Sequence, residues 1–150
     1  MMYARQRGLT LVELMVVVAV MAIIATVAYP LYTAQVQKSR RADAKVALET
    51  IAMAQERFYT INGFYTDDYT DLYTGTLATG AGFDWPCTAD ECDTDRGYYT
   101  VTLAHTTNTQ DFTATADNIG SQASDGDCAL FTINQQGVKT ATDGGGTNCW

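Results

Sequence analysis

The sequence is short of positive charge where a nucleic-acid binder would need it. From Asn62 to Trp150 it carries thirteen acidic residues and two cations, Arg96 and Lys139, while Lys38, Arg40, Arg41, Lys45 and Arg57 all come earlier. Phosphate backbones are gripped by Lys and Arg, so direct nucleic-acid binding by the acidic half is disfavoured, and its charge reads as solubility. Histidine is nearly missing as well. The one copy, His105, ends a predicted strand with no acid or nucleophile placed to work with it. With no nucleophile–base signature elsewhere, the chain does not read as an enzyme. Internal repeats are absent. Polar side chains are almost lacking between Leu9 and Tyr29, where Thr10, Glu13 and Thr26 are the exceptions.

That apolar run is about 30 Å long as a helix at ~1.5 Å per residue, enough to cross a hydrocarbon core. The leader before it, "MMYARQRG", carries Arg5 and Arg7. The positive-inside rule keeps this end in the cytoplasm and sends the remainder outward. A secretory signal would be cut after its apolar region beside small residues, and Ala22, Ala25 and Ala28 are able to imitate such a site. Glu13 has two readings. Thr10-x-x-Glu13 fits a capping box, in which hydroxyl and carboxylate satisfy the first helical amides. Yet apolar residues continue on both sides of the charge, and a carboxylate at membrane depth costs at least a few kcal/mol and faces a partner. A positive group on a neighbouring chain would serve. Pro30 removes a backbone donor and clashes with the preceding turn. It predicts a kink rather than a helix end at Tyr29, because helical periodicity resumes after it.

Beyond Pro30, Ala44, Ala47, Leu48, Ile51, Ala54, Phe58 and Ile61 recur at three- and four-residue spacing, opposite Lys38, Arg41, Lys45, Glu49 and Glu56. This is an amphipathic helix whose apolar face lies on a sheet, stopped at Asn62-Gly63. Gly97–His105 and Asp111–Asp117 alternate as half-buried strands do, and Cys128–Thr142 reads as two strands joined at Gln135-Gln136-Gly137. Phe64–Arg96, rich in Thr, Gly, Asp and Tyr, is too irregular to assign. Tyr59, Tyr65, Tyr69 and Tyr73 crowd the region after the helix, as a binding face or as helix–loop packing.

Cys87, Cys92, Cys128 and Cys149 all lie in the acidic half. An even number beyond a membrane-type segment suggests disulfides in an oxidising compartment, and three pairings are open. Cys87–Cys92 with Cys128–Cys149 is preferred, since each pair flanks a loop containing Gly or Asp. A zinc site is the rival, but two of the cysteines stand far apart and no histidine lies near either. Asp90, Glu91, Asp93 and Asp95 crowd ahead of Gly97, and Asp93-x-Asp95 matches part of a calcium loop. The terminal bidentate Glu at its usual spacing is lacking, so an acidic surface loop is the simpler reading and no cofactor is expected.

"RGLTLVEL" resembles the cleavage motif of type IV prepilins, in which a basic leader, a Gly at the cut, a hydrophobic residue and a Glu five positions in precede an apolar run. The resemblance implies that prepilin peptidase cuts after Gly8 on the cytoplasmic side and that the amine of Leu9 is methylated. The family usually has Phe where this chain has Leu9. It further implies that Glu13 pairs with the Leu9 ammonium of an adjacent subunit, a pair suited to setting register, and that Pro30 bends the helix. "AQERFYTINGFYT", "GYYTVTL", "FTATA", "CALFTINQQGVK" and "NCW" are similar to PilE-like minor pilins of type IVa systems. By that likeness Cys128–Cys149 closes a C-terminal loop and Cys87–Cys92 is an addition in the variable loop.

The expected fold is α+β, a long N-terminal helix on a small antiparallel sheet. Its divisions are a cleaved leader at 1–8, a membrane and filament-core half-helix at 9–35, and a globular domain at 36–150. The last comprises helix 36–61, variable loop 62–96, and sheet with C-terminal loop 97–150. The expected role is a minor pilin, single-pass in the inner membrane and then extracellular in the pilus. Other pilin subunits, prepilin peptidase and the assembly machinery are its partners. Such a subunit supports pilus biogenesis, adhesion or twitching motility. A major pilin, a type II secretion pseudopilin and a membrane-tethered binding module are the alternatives.

Overall fold

A computed structural model describes residues 10–73, 87–88, 90–104, 110–143 and 149–150. The chain forms two compact units, residues 1–36 and 37–150, and one helix, α1 (Leu11–Asn62), contributes to both.

In the first unit α1 begins where Thr10 caps it: the Thr10 hydroxyl accepts from the Glu13 amide at 3.3 Å, which relieves one of the helix's unpaired donors. From Leu11 to Tyr32 the large apolar side chains are exposed, from 49% at Val17 to 76% at Leu11. The two later threonines hide their hydroxyls against the backbone, Thr26 donating to the Ile23 carbonyl and Thr33 to that of Pro30. An apolar helix therefore presents almost no unsatisfied polar group along its length, as a hydrocarbon environment requires. The helix continues through Pro30, so the reading of a helix end at Tyr29 does not hold.

In the second unit Ala44, Ala47, Leu48, Ile51, Ala54 and Phe58 form the buried stripe of α1. Ile61, expected in that stripe, is 65% exposed. The helix is already ending there: Gly63, at φ 80°, donates to the Tyr59 carbonyl, and the returning chain covers the core with Tyr65, which packs on Phe112. A short helix, α2 (Tyr69–Tyr73), follows in the segment the sequence left unassigned. Gln55, fully buried, pins this return by pairing with both backbone groups of Thr66.

The sheet has five antiparallel strands in chain order: β1 (Glu91–Asp93), β2 (Tyr99–Ala104), β3 (Thr113–Asn118), β4 (Cys128–Asn134) and β5 (Lys139–Asp143). Its register sorts the side chains cleanly. Cys92, Val101, Ala116, Phe131 and Ala141 form one row across all five strands, and Leu103, Ala114 and Ile133 form the next. These residues share the hydrophobic core with the α1 stripe. The opposite face carries Thr102, Thr115, Thr132 and Thr140 as a second continuous row, β-branched side chains that suit a half-exposed pleat. The β4–β5 turn is held by Asn134, whose side-chain oxygen accepts from the amides of Gln136 and Val138. Gly137 supplies the left-handed residue at φ 70°.

Candidate functional site

Two groups of residues stand out, one in each unit. In the first, Glu13 sits exposed in the first turn of α1 among exposed Leu11, Val12, Leu14 and Met15. The hydroxyl half of the expected capping box is present through Thr10. Gly8 and Leu9 lie outside the described residues. What this end offers is one carboxylate on an apolar helix surface, a position that demands a cation when water is withdrawn.

In the second unit the connection between β3 and β4 is clasped to the helix. Arg41 Nε and Nη2 donate to Asp125 Oδ2 and Oδ1, both at 2.7 Å. Asp125 is 2% exposed and Arg41 15%. This fork-on-fork geometry is the strong form of an ion pair, and the Asp125 hydrogen bond holds the guanidinium pKa above its ordinary value. Gln122, fully buried in a 3-10 turn, donates from Nε2 to Asp125 Oδ2 at 2.8 Å and shares its second N–H between the Tyr99 hydroxyl and the Gln37 carbonyl, both at 3.2 Å. Asn118 Nδ2 donates to the carbonyls of Gln122 and Asp125. Burial pushes the Tyr99 phenol up to about 12, while the Gln122 hydrogen bond pulls the other way. Sequence reasoning missed this clasp. Its members are spread from Gln37 to Asp125, and no local pattern joins them.

The cysteines pair as Cys87–Cys92 and Cys128–Cys149. The first bond ties the chain entering β1 to that edge strand. The second brings Trp150 onto the sheet, where its ring meets Phe131 edge-on at 5.7 Å and its Nε1 donates to the Thr140 carbonyl. Lys139 reaches over the Trp150 ring and bridges to Glu49 on α1.

The acidic candidates do not converge. Asp90, Glu91 and Asp95 are exposed, and Asp93 accepts from the Thr100 hydroxyl at 2.6 Å. Among the described residues no three His, Cys, Asp or Glu side chains gather as a metal would need. The tyrosines go into packing. Tyr65 stacks on Tyr59 at 4.6 Å, and Tyr69 is buried. Burial and then the Glu56 hydrogen bond push the Tyr65 phenol up to about 12. The side chain of Tyr73, and His105, lie outside the described residues.

Comparison with known proteins gives two family matches. The family described as type IV minor pilin ComP, DNA uptake sequence receptor, matches residues 30–132, and the prokaryotic N-terminal methylation motif matches residues 3–29. The chain is 38% identical over 90 residues to the type IV major pilin protein PilA of Myxococcus xanthus, an alignment covering 59% of this chain. It spans 41% of that relative's length. A solved type IV pilin from Shewanella oneidensis is 24% identical, with a TM-score of 0.47, covering 76% of this chain and 97% of the pilin.

Proposed function

The chain belongs to the type IV pilin family, through the minor-pilin description that matches most of its length, and we propose that it is a minor subunit polymerised into a type IV pilus. The carrying observation is α1 itself. Its first half is apolar on all sides and exposed, while its second half packs on the sheet of a disulfide-bonded domain. A soluble monomer has no use for such a helix. A subunit held in a bilayer and then transferred into a filament core buries it twice.

In this reading prepilin peptidase cuts after Gly8, the Leu9 amine is methylated, and that ammonium pairs with Glu13 of an adjoining subunit. Pro30 has no N–H to give the Thr26 carbonyl one turn earlier, so this stretch is where the helix yields during extraction or packing. The pair is buried, so its role is registry more than stability. The subunit sits first in the inner membrane and then in the extracellular filament, with no metal or cofactor engaged.

Abundance tests the assignment. Peptides from Leu9 onward, without Met1–Gly8, are expected in sheared filaments at a small fraction of another pilin. Dominance of this chain would make it the major subunit, the role carried by the Myxococcus relative. Loss from the filament fraction would return it to the pseudopilins. Glu13→Ala is expected to leave membrane levels intact and remove the chain from filaments; a simple anchor would tolerate it. The DNA-receptor function in the family description is not carried over to this chain. Residues 62–150 hold thirteen acids against Arg96 and Lys139, and Lys139 is engaged by Glu49 and Trp150. Electrophoretic mobility shift at physiological salt is expected to show no complex with duplex DNA.

A further inference from the structure

The two edges of the sheet are not alike. At the β1 edge the backbone of Glu91 is occupied. Its carbonyl accepts from the Thr88 amide at 2.8 Å and from the Thr88 hydroxyl, and its own amide donates to that hydroxyl. The Cys87–Cys92 bond holds this cap in place. An uncovered edge strand is a template for pairing with another chain, and folded proteins cover such edges. Among the described residues the β5 edge has no comparable cover.

The direction of the β5 backbone groups follows from its hairpin. The Asn134 amide donates to the Val138 carbonyl. From that pair the register runs on through Ile133 with Lys139, Thr132 with Thr140, Phe131 with Ala141 and Leu130 with Thr142. Hydrogen-bonded and non-hydrogen-bonded pairs alternate along an antiparallel ladder. The backbones of Thr140 and Thr142 therefore face β4, and the amides and carbonyls of Lys139 and Ala141 face away from the sheet. No described residue bonds to these outward groups. Trp150 gives its Nε1 proton to the Thr140 carbonyl instead.

The strand is complementary to itself. When two copies are laid antiparallel about Ala141, Lys139 of each stands opposite Asp143 of the other, Thr140 opposite Thr142, and Ala141 opposite Ala141. Positions 139, 141 and 143 then meet as hydrogen-bonded pairs, with unlike charges opposite each other at both ends. The threonine row of the outer face, which ends at Thr140, runs on into the second copy. Two-fold pairing requires this kind of self-complementarity. We propose that β5 is a self-association edge, through which two copies of this chain join their sheets into one. The net charge of −8 on each chain opposes the contact, so it forms where copies are concentrated. The inference does not rest on the filament assignment.

The test follows amide hydrogen exchange by NMR on the full chain in detergent micelles, as the number of chains per micelle is raised. The Lys139 and Ala141 amides are expected to exchange about tenfold more slowly at the highest loading than at the lowest, because pairing protects them. Association through the apolar helix alone would leave these two amides unchanged. Ala141→Pro deletes the outward donor and spares the bonds to β4. It should abolish the dependence on loading while β2, β3 and β4 keep their native shifts. Lys139→Asp sets like charges opposite each other and should weaken the pairing about tenfold. Adding Asp143→Lys restores unlike charges and should recover it. Exchange at Ala141 that ignores loading overturns the proposal, as does a double variant that pairs no better than Lys139→Asp. Slowing at Asp93 in place of Ala141 overturns it in favour of the β1 edge.

Discussion

At the scale of single residues, the domain depends on a few polar side chains placed where water cannot reach. Asp125 accepts both arms of Arg41 and the Gln122 amide in a pocket that leaves it 2% exposed. Asp125→Asn removes the charge and leaves the guanidinium without its counter-ion, and a loss of about 3 kcal/mol in urea unfolding is expected. Gln55→Ala strips the partners from the buried N–H and C=O of Thr66 and should cost about 2 kcal/mol, read in the same way. Tyr99 gives the clasp a pH limit. Its folded pKa is raised to about 12, chiefly by burial, above an unfolded value of about 10. The stability from the neutral phenol is therefore complete below about pH 10 and is lost as pH rises toward 12. Phenolate absorbance should show a late fraction in that window, coincident with loss of the native circular dichroism.

Elements differed in how far they could be read from sequence, for physical reasons. β2, β3, β4 and β5 alternate core residues with threonine, so a period of two survives in the sequence, and Gly137 marks the turn between the last pair. The second half of α1 is legible by its alanine- and leucine-bearing stripe. Ile61 misled because periodicity continues past the point where the returning chain takes over its share of the core. β1 is three residues long, and α2 begins among aspartates and threonines. Both exist through tertiary contacts, the pairing of Cys92 with Val101 and the burial of Tyr69 and Leu72. The β3–β4 connection carries no periodic signal of its role, since its partner Arg41 lies 84 positions away. The two disulfides make the elements unequal in covalent support. Closing the longer loop, Cys128–Cys149 should contribute about 3 kcal/mol and Cys87–Cys92 about 2 kcal/mol by chain entropy. Paired Cys→Ser variants, compared in urea unfolding, check that order. With Trp85 replaced by Phe, Trp150 fluorescence is expected to shift only when Cys128–Cys149 is removed.

On the scale of the whole molecule, one helix serves two solvents. Among the described residues its large apolar side chains from Leu11 to Tyr32 are exposed, and its amphipathic half is half of a core. Truncating the exposed segment should therefore leave the domain's unfolding midpoint unchanged within experimental error, measured on a chain begun at Gln37. Shortening a buried side chain further along the same helix, as in Leu48→Ala, should cost about 3 kcal/mol. The sheet has a temporal meaning too. Because the five strands stand side by side in the order in which they occur along the chain, none has to wait for a distant successor. A chain emerging N-terminus first can add each strand to the one that preceded it, so that each addition covers the edge left by the last. Local pairing of this kind is quick to form and leaves little time for edge-to-edge mispairing between crowded nascent copies. The slower event is the long-range one, the arrival of the β3–β4 connection at Arg41, which locks an already zipped sheet to its helix.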